Sequence, residues 1–115
     1  MNTSNNNKKS KNPFDKLIFE EGIRASKLMI DKELDLLLII LNNGKVLKLK
    51  LSDYSSLHNA STEDLNKWAL TGGGVGVRWE CLDVDLSIKG FIKQAALNNA
   101  LRSLKTEGDD ERFVA

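Results

Sequence analysis

The sequence is poor in the residue types that build metal centres and disulfides. Its 115 residues include one cysteine, Cys81, one histidine, His58, and a single proline. A lone cysteine excludes an internal disulfide, and one cysteine with one histidine cannot supply the usual ligand sets of a zinc site. We therefore expect no metal centre and no cofactor.

Long apolar runs are absent as well. No stretch approaches the roughly 18 uninterrupted apolar residues that a membrane-spanning helix needs. The first twelve residues are polar, with lysines at positions 8, 9 and 11, and lack the apolar segment of a secretory signal. These features predict a cytoplasmic protein without a membrane span.

Neither sign of charge is in large excess, since 17 basic residues face 16 acidic ones and the formal net charge is +1. A dedicated nucleic-acid binder usually carries a strong basic excess. The charge is concentrated at the ends, +3 over residues 1–12 and −3 over residues 107–112. We expect a disordered tail over 1–12, a single domain over 13–105 and an acidic flexible tail over 106–115.

The hydrophobic pattern predicts an α+β fold, a small antiparallel sheet of about four strands with short helices and a C-terminal helix. The Asn-Gly pair at 43–44 favours a hairpin between two leucine-rich strands. Expected helices begin at the Asn12-Pro13 pair and at the capping residues Ser61 and Ser87. The predicted helices cover 13–21, 62–69 and 87–105, and the predicted strands cover 25–31, 33–41, 46–51 and 75–79.

The C-terminal helix carries two apolar stripes rather than one. At 100° per residue the first comprises Ile88, Ile92 and Ala95. The second lies roughly opposite and comprises Leu97, Ala100, Leu101 and Leu104. Either the helix breaks near Asn98-Asn99 and both stripes pack on one core, or the second stripe is a docking face for a partner protein or a second copy.

No arrangement of residues indicates catalysis. The glycine run 72–76 lacks the spacing of a dinucleotide-binding loop and precedes a strand, so a tight turn explains it better. Asp83 and Asp85 suit turn and helix-cap hydrogen bonds, and too few ligands accompany them for a cation site. We expect no catalytic residues and no metal ligands, and therefore no enzyme.

Basic residues alternate on the outward face of the predicted hairpin. Lys48 and Lys50 share this face, and Arg78 could join them from a neighbouring strand. Such a face is typical of a solvated sheet whose edge is protected by lysine. Alternatively, it could bind phosphate groups of a nucleic acid, as β-ribbon regulators do.

Several segments together resemble a known family. They are the run 51–57, the stretch from Ala60 to Trp68, the glycine-rich stretch 72–79 and the segment 82–90. In this combination they are similar to domain-of-unknown-function family 2442, a family of small bacterial proteins, with the similarity covering about residues 26–92. The family motif falls on Gly72, Gly73, Gly74, Trp79, Asp83 and Asp85.

The resemblance implies a small α+β domain without assigned catalytic residues. The sequence departs from the family pattern on both sides of Trp79, where a histidine is replaced by Arg78 and a proline by Glu80. Family members often occur beside toxin-like genes, which suggests an antitoxin.

We therefore expect a cytoplasmic interaction module that neutralises a protein partner, such as a toxin encoded nearby, by occlusion through Leu97, Leu101 and Leu104. A homodimer is also possible. One alternative is a nucleic-acid-binding regulator that uses the basic face, although nucleic acid is the less favoured class of partner. Another is a mobile-element inhibitor of a host defence enzyme.

Overall fold

A computed structural model describes the backbone of residues 12–114 and the side chains of residues 12–105. Most of the predicted N-terminal tail, residues 1–11, lies outside the described residues, as do the side chains of the predicted acidic tail. The chain first forms a short helix, α1 (Pro13–Asp15), which continues as a wider turn over Lys16–Glu20. The Asn12 side chain accepts hydrogen bonds from the Phe14 and Asp15 amides, so the predicted N-cap is confirmed.

The first sheet contains three antiparallel strands in the order β1-β2-β3. They are β1 (Ala25–Asp31), β2 (Leu36–Leu41) and β3 (Val46–Lys50). The predicted hairpin is confirmed, because β2 and β3 pair directly, with Ile40 opposite Val46 across the Asn-Gly turn. Along β2, side chains on one face are buried and those on the other are half-buried, so the strand is only partly covered on its second face.

The middle of the chain leads to a second sheet. A turn over Leu51–Asp53 is followed by the one-turn helices α2 (Ser55–His58) and α3 (Thr62–Leu65). The second sheet then has the antiparallel order β4-β5-β6. Its strands are β4 (Trp68–Thr71), β5 (Gly76–Trp79) and β6 (Val84–Ser87), with a short turn over Glu80–Leu82 before the last.

The α+β class is confirmed, but the strand count and sheet number differ from the prediction. Six strands form two sheets in place of about four strands in one. The predicted helix over 62–69 ends at Leu65, because Trp68 pairs with Trp79 as the first residue of β4. β4 and β6, which the prediction lacks, are four residues each.

Both sheets contribute to one hydrophobic core. Leu37 and Ile39 of the first sheet and Val77 and Trp79 of the second belong to the same cluster of buried residues. The sheets are also joined through the backbone, since the Ala25 amide donates to the Gly74 carbonyl at 2.9 Å. The described residues therefore form one packed unit.

The last helix, α4 (Ile88–Val114), is continuous. The Ser87 hydroxyl accepts a hydrogen bond from the Gly90 amide at 3.0 Å, which confirms the predicted cap. The interpretation that the helix breaks at Asn98-Asn99 is wrong. Gln94 donates to the Asn98 side-chain oxygen and Asn98 donates to Asp53, so the Asn98 side chain is engaged away from the helix backbone. Within the described part of the chain, no helix is long and apolar enough to cross a membrane.

Candidate functional site

The second apolar stripe of α4 faces solvent. Leu97 is 52% exposed, Leu101 50% and Leu104 68%, and Ala100 between them is exposed as well. In the first half of the same helix, Ile88, Phe91 and Ile92 are at most 9% exposed. We call the residues Leu97, Ala100, Leu101 and Leu104 the leucine stripe. Contiguous exposed apolar residues of this kind mark interaction sites more often than isolated ones do.

The leucine stripe is exposed because of where α4 meets the body of the protein. Phe91 is fully buried, with its ring edge-on to Tyr54 at a centroid distance of 5.9 Å. On the α1 side, Lys89 forms an ion pair with Asp15 at 2.9 Å, and the Lys93 amino group lies 5.8 Å from the centre of the Phe14 ring. These contacts fix the first half of α4 on the core, and the second half presents its leucines to solvent.

A cleft of about 570 Å³ opens beside the leucine stripe, between the β2-β3 hairpin and the second half of α4. Lys48 and Lys50 of the predicted basic face line one wall, and Arg102 and Lys105 line the other. Among the described residues, none of these four cations forms an ion pair. We call this site the basic cleft. Its remaining lining is apolar or neutral apart from one carboxylate, and consists of Leu34, Asp35, Leu36, Leu49, Asn98 and Leu101.

The carboxylate of the basic cleft is already engaged. Asp35 accepts hydrogen bonds from the Ser52 amide at 2.7 Å and from the Ser52 hydroxyl at 2.6 Å. The hydroxyl bond is the main reason that the pKa of Asp35 lies below its usual value, and nearby His58 and Lys50 lower it further. Asp35 thus stays ionised and holds the turn before β2 against the segment after β3, and its charge partly offsets that of Lys50 in the cleft.

Arg78, the third residue of the predicted nucleic-acid face, does not line the basic cleft. It lies on β5 of the second sheet, whereas Lys48 and Lys50 lie on β3 of the first, so the expectation that it occupies a strand neighbouring the hairpin is wrong. Its guanidinium contacts three carboxylates, those of Glu80 at 2.7 Å, Asp83 at 3.0 Å and Asp85. These bonds, those of Glu80 and Asp83 foremost, raise the pKa of Arg78 and offset its charge.

The motif residues Gly72, Gly73, Gly74, Trp79, Asp83 and Asp85 therefore have structural explanations. All three glycines have positive φ, and a Cβ at Gly74 would lie 2.4 Å from the Ala25 carbonyl oxygen. The Trp79 ring is fully buried, and its indole N–H donates to the Leu65 carbonyl at 2.9 Å. Asp83 and Asp85 hold Arg78. Arg78 and Glu80, the two departures from the family pattern, form an ion pair with each other.

The other candidate reactive groups do not converge. Cys81 is exposed, with its sulfur 3.9 Å from the Asp64 carbonyl oxygen, and His58 ends the short helix α2. Among the residues that the structure describes, no three His, Cys, Asp or Glu side chains are grouped so as to hold a metal ion.

The sequence pattern predicted the residues of the leucine stripe and two of the four cations of the basic cleft, Lys48 and Lys50. It missed Arg102 and Lys105, because the contribution of α4 to the cleft depends on how the helix lies across the hairpin. The i, i+3 spacing of Arg102 and Lys105 places them on one helix face, but the sequence does not indicate that β3 is opposite.

Comparison with known proteins gives a family and a fold. The family described as "Protein of unknown function (DUF2442)" matches residues 29–96. A crystal structure of a protein of unknown function from Rhodospirillum rubrum is 32% identical, with a TM-score of 0.56 over 62% of this chain and 86% of that one. A solution structure of an uncharacterized protein from Chromobacterium violaceum is 23% identical, with a TM-score of 0.59 over 83% and 87% of the two chains, and shows the shared fold alone. The search among curated proteins found no match.

Proposed function

The chain belongs to the DUF2442 family of proteins of unknown function, and on this premise we propose that it is a protein-interaction module that binds through the leucine stripe. The observation that carries the proposal is the exposure of Leu97, Leu101 and Leu104 on a helix whose first half is firmly packed. A helix that needs only one apolar face to join the core has a second one available for another protein.

The proposed mode of action is occlusion. The leucine stripe covers the surface of a partner protein and thereby neutralises it. A toxin encoded nearby is an example of such a partner. No covalent bond is made or broken in this mechanism. The proposed role is therefore binding and not catalysis. The proposed site of action is the cytoplasm.

A charge placed in the middle of the leucine stripe tests this function. Leu101→Glu puts a carboxylate where an apolar partner surface would lie, which should abolish partner binding. Since Leu101 is half-exposed, we expect the free energy of unfolding to change by only about 0.5 kcal/mol. Asn99→Glu is the matched control, because it adds the same charge at an exposed position on the opposite side of the helix.

The measurement is affinity purification of each tagged variant from the source cell, followed by mass spectrometry and thermal melting of the purified variants. The proposal expects one stoichiometric protein partner with the wild type and Asn99→Glu, and none with Leu101→Glu. Equal recovery of the partner by all three, or no protein partner at all, would contradict it.

The basic cleft supports a second candidate, a nucleic-acid-binding regulator. Lys48 and Lys50 lie with Arg102 and Lys105 around one opening, which gives phosphate groups four cations to contact. Binding of this kind should weaken steeply as salt rises. Fluorescence anisotropy with a labelled duplex at several salt concentrations checks it, and an affinity independent of salt excludes it. Because leucines also line the cleft and Arg78 is elsewhere, we favour the protein partner.

A further inference from the structure

Strand β3 is an edge strand with two lysines on one face. It is the last strand in the order β1-β2-β3, so no described strand pairs with its outer edge. Lys48 and Lys50 are exposed, and their cross-strand neighbours on β2 are Leu38 and Leu36. Both lysines therefore have apolar neighbours on the paired side of β3. An acidic cross-strand neighbour would have to come from a segment added at the outer edge.

The basic cleft lies beside β3. Residues 48–50 line one wall, and Arg102 and Lys105 of α4 line the other, so cations stand on both sides of the opening. The one carboxylate of the lining, Asp35, is bound by Ser52 and offsets part of the charge of Lys50. Four cations with one engaged carboxylate favour an anionic occupant.

The lining of the basic cleft is aliphatic as well as basic. It includes Leu34, Leu36, Leu49 and Leu101. Leu101 also belongs to the leucine stripe, so the two sites are continuous. None of the ten described lining residues is aromatic, whereas the bases of a single-stranded nucleic acid stack on aromatic side chains. A peptide that carries both carboxylates and aliphatic side chains matches this lining better than phosphates and bases do.

We propose that the basic cleft binds an extended acidic segment of a protein partner, in which glutamate or aspartate alternates with aliphatic residues. The proposal deepens the proposed function and rests on it, since it states the chemistry of the partner segment that lies next to the leucine stripe.

The spacing of the lysines supports an extended segment. Side chains on one face of an extended chain repeat at roughly 7 Å, which is also the repeat of Lys48 and Lys50 on β3. Carboxylates on one face of the segment meet the two lysines, and aliphatic side chains on its other face meet Leu49 and Leu101. Lysines at a sheet edge oppose pairing with most strands, but they attract an acidic one.

A defined peptide tests the proposal on the full chain. The probe is a short peptide of alternating glutamate and leucine, titrated into isotope-labelled protein and followed by the backbone amide resonances. We expect saturable shifts in β3 and in the second half of α4, with an affinity that falls as salt rises. A peptide with lysine in place of glutamate should not bind. Absence of saturable shifts with the glutamate peptide, or equal binding of the lysine peptide, would overturn the proposal.

The order of residues in the probe tests the extended geometry. A peptide of the same composition, with its glutamates grouped at one end, cannot place carboxylates beside the lysines and leucines beside Leu49 at the same time. We expect it to bind about tenfold more weakly than the alternating peptide. Equal affinities would show that the basic cleft responds to net charge alone, which contradicts the proposed alternation.

Charge reversal on each wall locates the site. Lys48→Glu and Arg102→Glu should each weaken binding of the alternating peptide by about tenfold, because each replaces an attraction by a repulsion. Lys27→Glu is the matched control, since Lys27 is an exposed lysine of β1, at the opposite edge of the same sheet, and does not line the cleft. It should leave the affinity unchanged. Equal effects of all three variants would reject the site.

Single-stranded oligothymidine is the competing probe. Tighter binding of this oligonucleotide than of the alternating peptide, at the same amides, would assign the basic cleft to nucleic acid and overturn the proposal.

The proposed function is judged separately in the purification experiment described above, with Leu104→Glu and Lys48→Glu added. Leu104 belongs to the leucine stripe but does not line the basic cleft. Loss of the partner with Leu104→Glu and its retention with Lys48→Glu would reject the acidic segment and leave the proposed function in place. Loss with both variants is the result that we expect.

Discussion

At the scale of single residues, Gly74 shows why the glycine run is needed. Its φ is +108°, a conformation that residues with a Cβ rarely adopt. The position also lies where the two sheets approach, with the Ala25 amide donating to the Gly74 carbonyl. Gly73, with φ of +68°, has no atom within 4 Å of the place where a Cβ would be. An alanine at position 73 would therefore meet conformational strain alone, whereas an alanine at position 74 would meet strain and steric overlap.

We predict that Gly74→Ala is far more destabilising than Gly73→Ala. Gly73→Ala should lower the free energy of unfolding by about 1 kcal/mol, since it only places alanine at positive φ. Gly74→Ala adds a Cβ at 2.4 Å from the Ala25 carbonyl oxygen, and the backbone must move to relieve this overlap. Urea unfolding of both variants, followed by circular dichroism, gives the comparison. Equal free energies of unfolding would show that the sheets do not depend on this close approach.

Tyr54 is a second residue whose environment explains its chemistry. Its ring packs edge-on against Phe91, and burial raises the pKa of its hydroxyl to about 12. The hydroxyl oxygen is buried without a hydrogen-bond partner among the described residues. The aromatic contact, rather than the hydroxyl, is thus the contribution of Tyr54 to the attachment of α4.

At the scale of elements, α4 is divided into a buried half and an exposed half. Ile88, Phe91 and Ile92 fix the first half on the core, and the leucine stripe follows within two turns. The boundary coincides with Asn98, whose side chain joins Gln94 and Asp53. One helix thus serves both the stability of the domain and its proposed binding face.

This division predicts opposite outcomes for two truncations in one helix. Phe91→Ala should reduce the free energy of unfolding by about 3–5 kcal/mol, because it leaves a cavity at a fully buried position. Leu104→Ala, at a residue that is 68% exposed, should change it by less than about 0.5 kcal/mol. Thermal and chemical denaturation of the two variants measures both changes. A large loss of stability in the Leu104 variant would place the leucine stripe in the core of the monomer.

At the scale of the whole molecule, no described strand of one sheet pairs with a strand of the other, but the two sheets share one hydrophobic core. Each has its own order of three strands, yet buried residues of both belong to one cluster. The Val75 carbonyl also accepts a hydrogen bond from the Ile88 amide, which connects the glycine-rich turn to the start of α4. A domain with one shared core unfolds as one unit.

We therefore predict that the most protected amides of both sheets exchange with solvent only through global unfolding. Leu37 and Ile39 in β2 and Val77 and Trp79 in β5 should give the same free energy of opening in native-state hydrogen exchange. Val77→Ala in the second sheet should lower the free energy of opening of the β2 amides by as much as it lowers that of the β5 amides. Unchanged protection in β2 would mean that the sheets unfold independently.

The features that follow from the amino-acid sequence alone are local. The alternation of leucine and lysine and the Asn-Gly pair indicate the hairpin, because side chains on a strand alternate in direction and the turn needs positive φ. Capping residues located the starts of α1, α3 and α4, because their side chains bond to amides only two or three residues away. The helical spacing of the leucine stripe, i, i+3, i+4 and i+7, was visible for the same reason.

Which segments meet follows from strand pairing and packing and not from any one segment. Trp68 became a strand residue because Trp79 pairs with it, and Arg78 meets Asp85 because the two residues are paired across β5 and β6. Arg102 and Lys105 joined Lys48 and Lys50 because α4 passes over the hairpin. The leucine stripe faces solvent because the first half of α4 and the two sheets already complete the core. These outcomes depend on pairing and packing between separate segments of the chain, which the pattern within one segment does not contain.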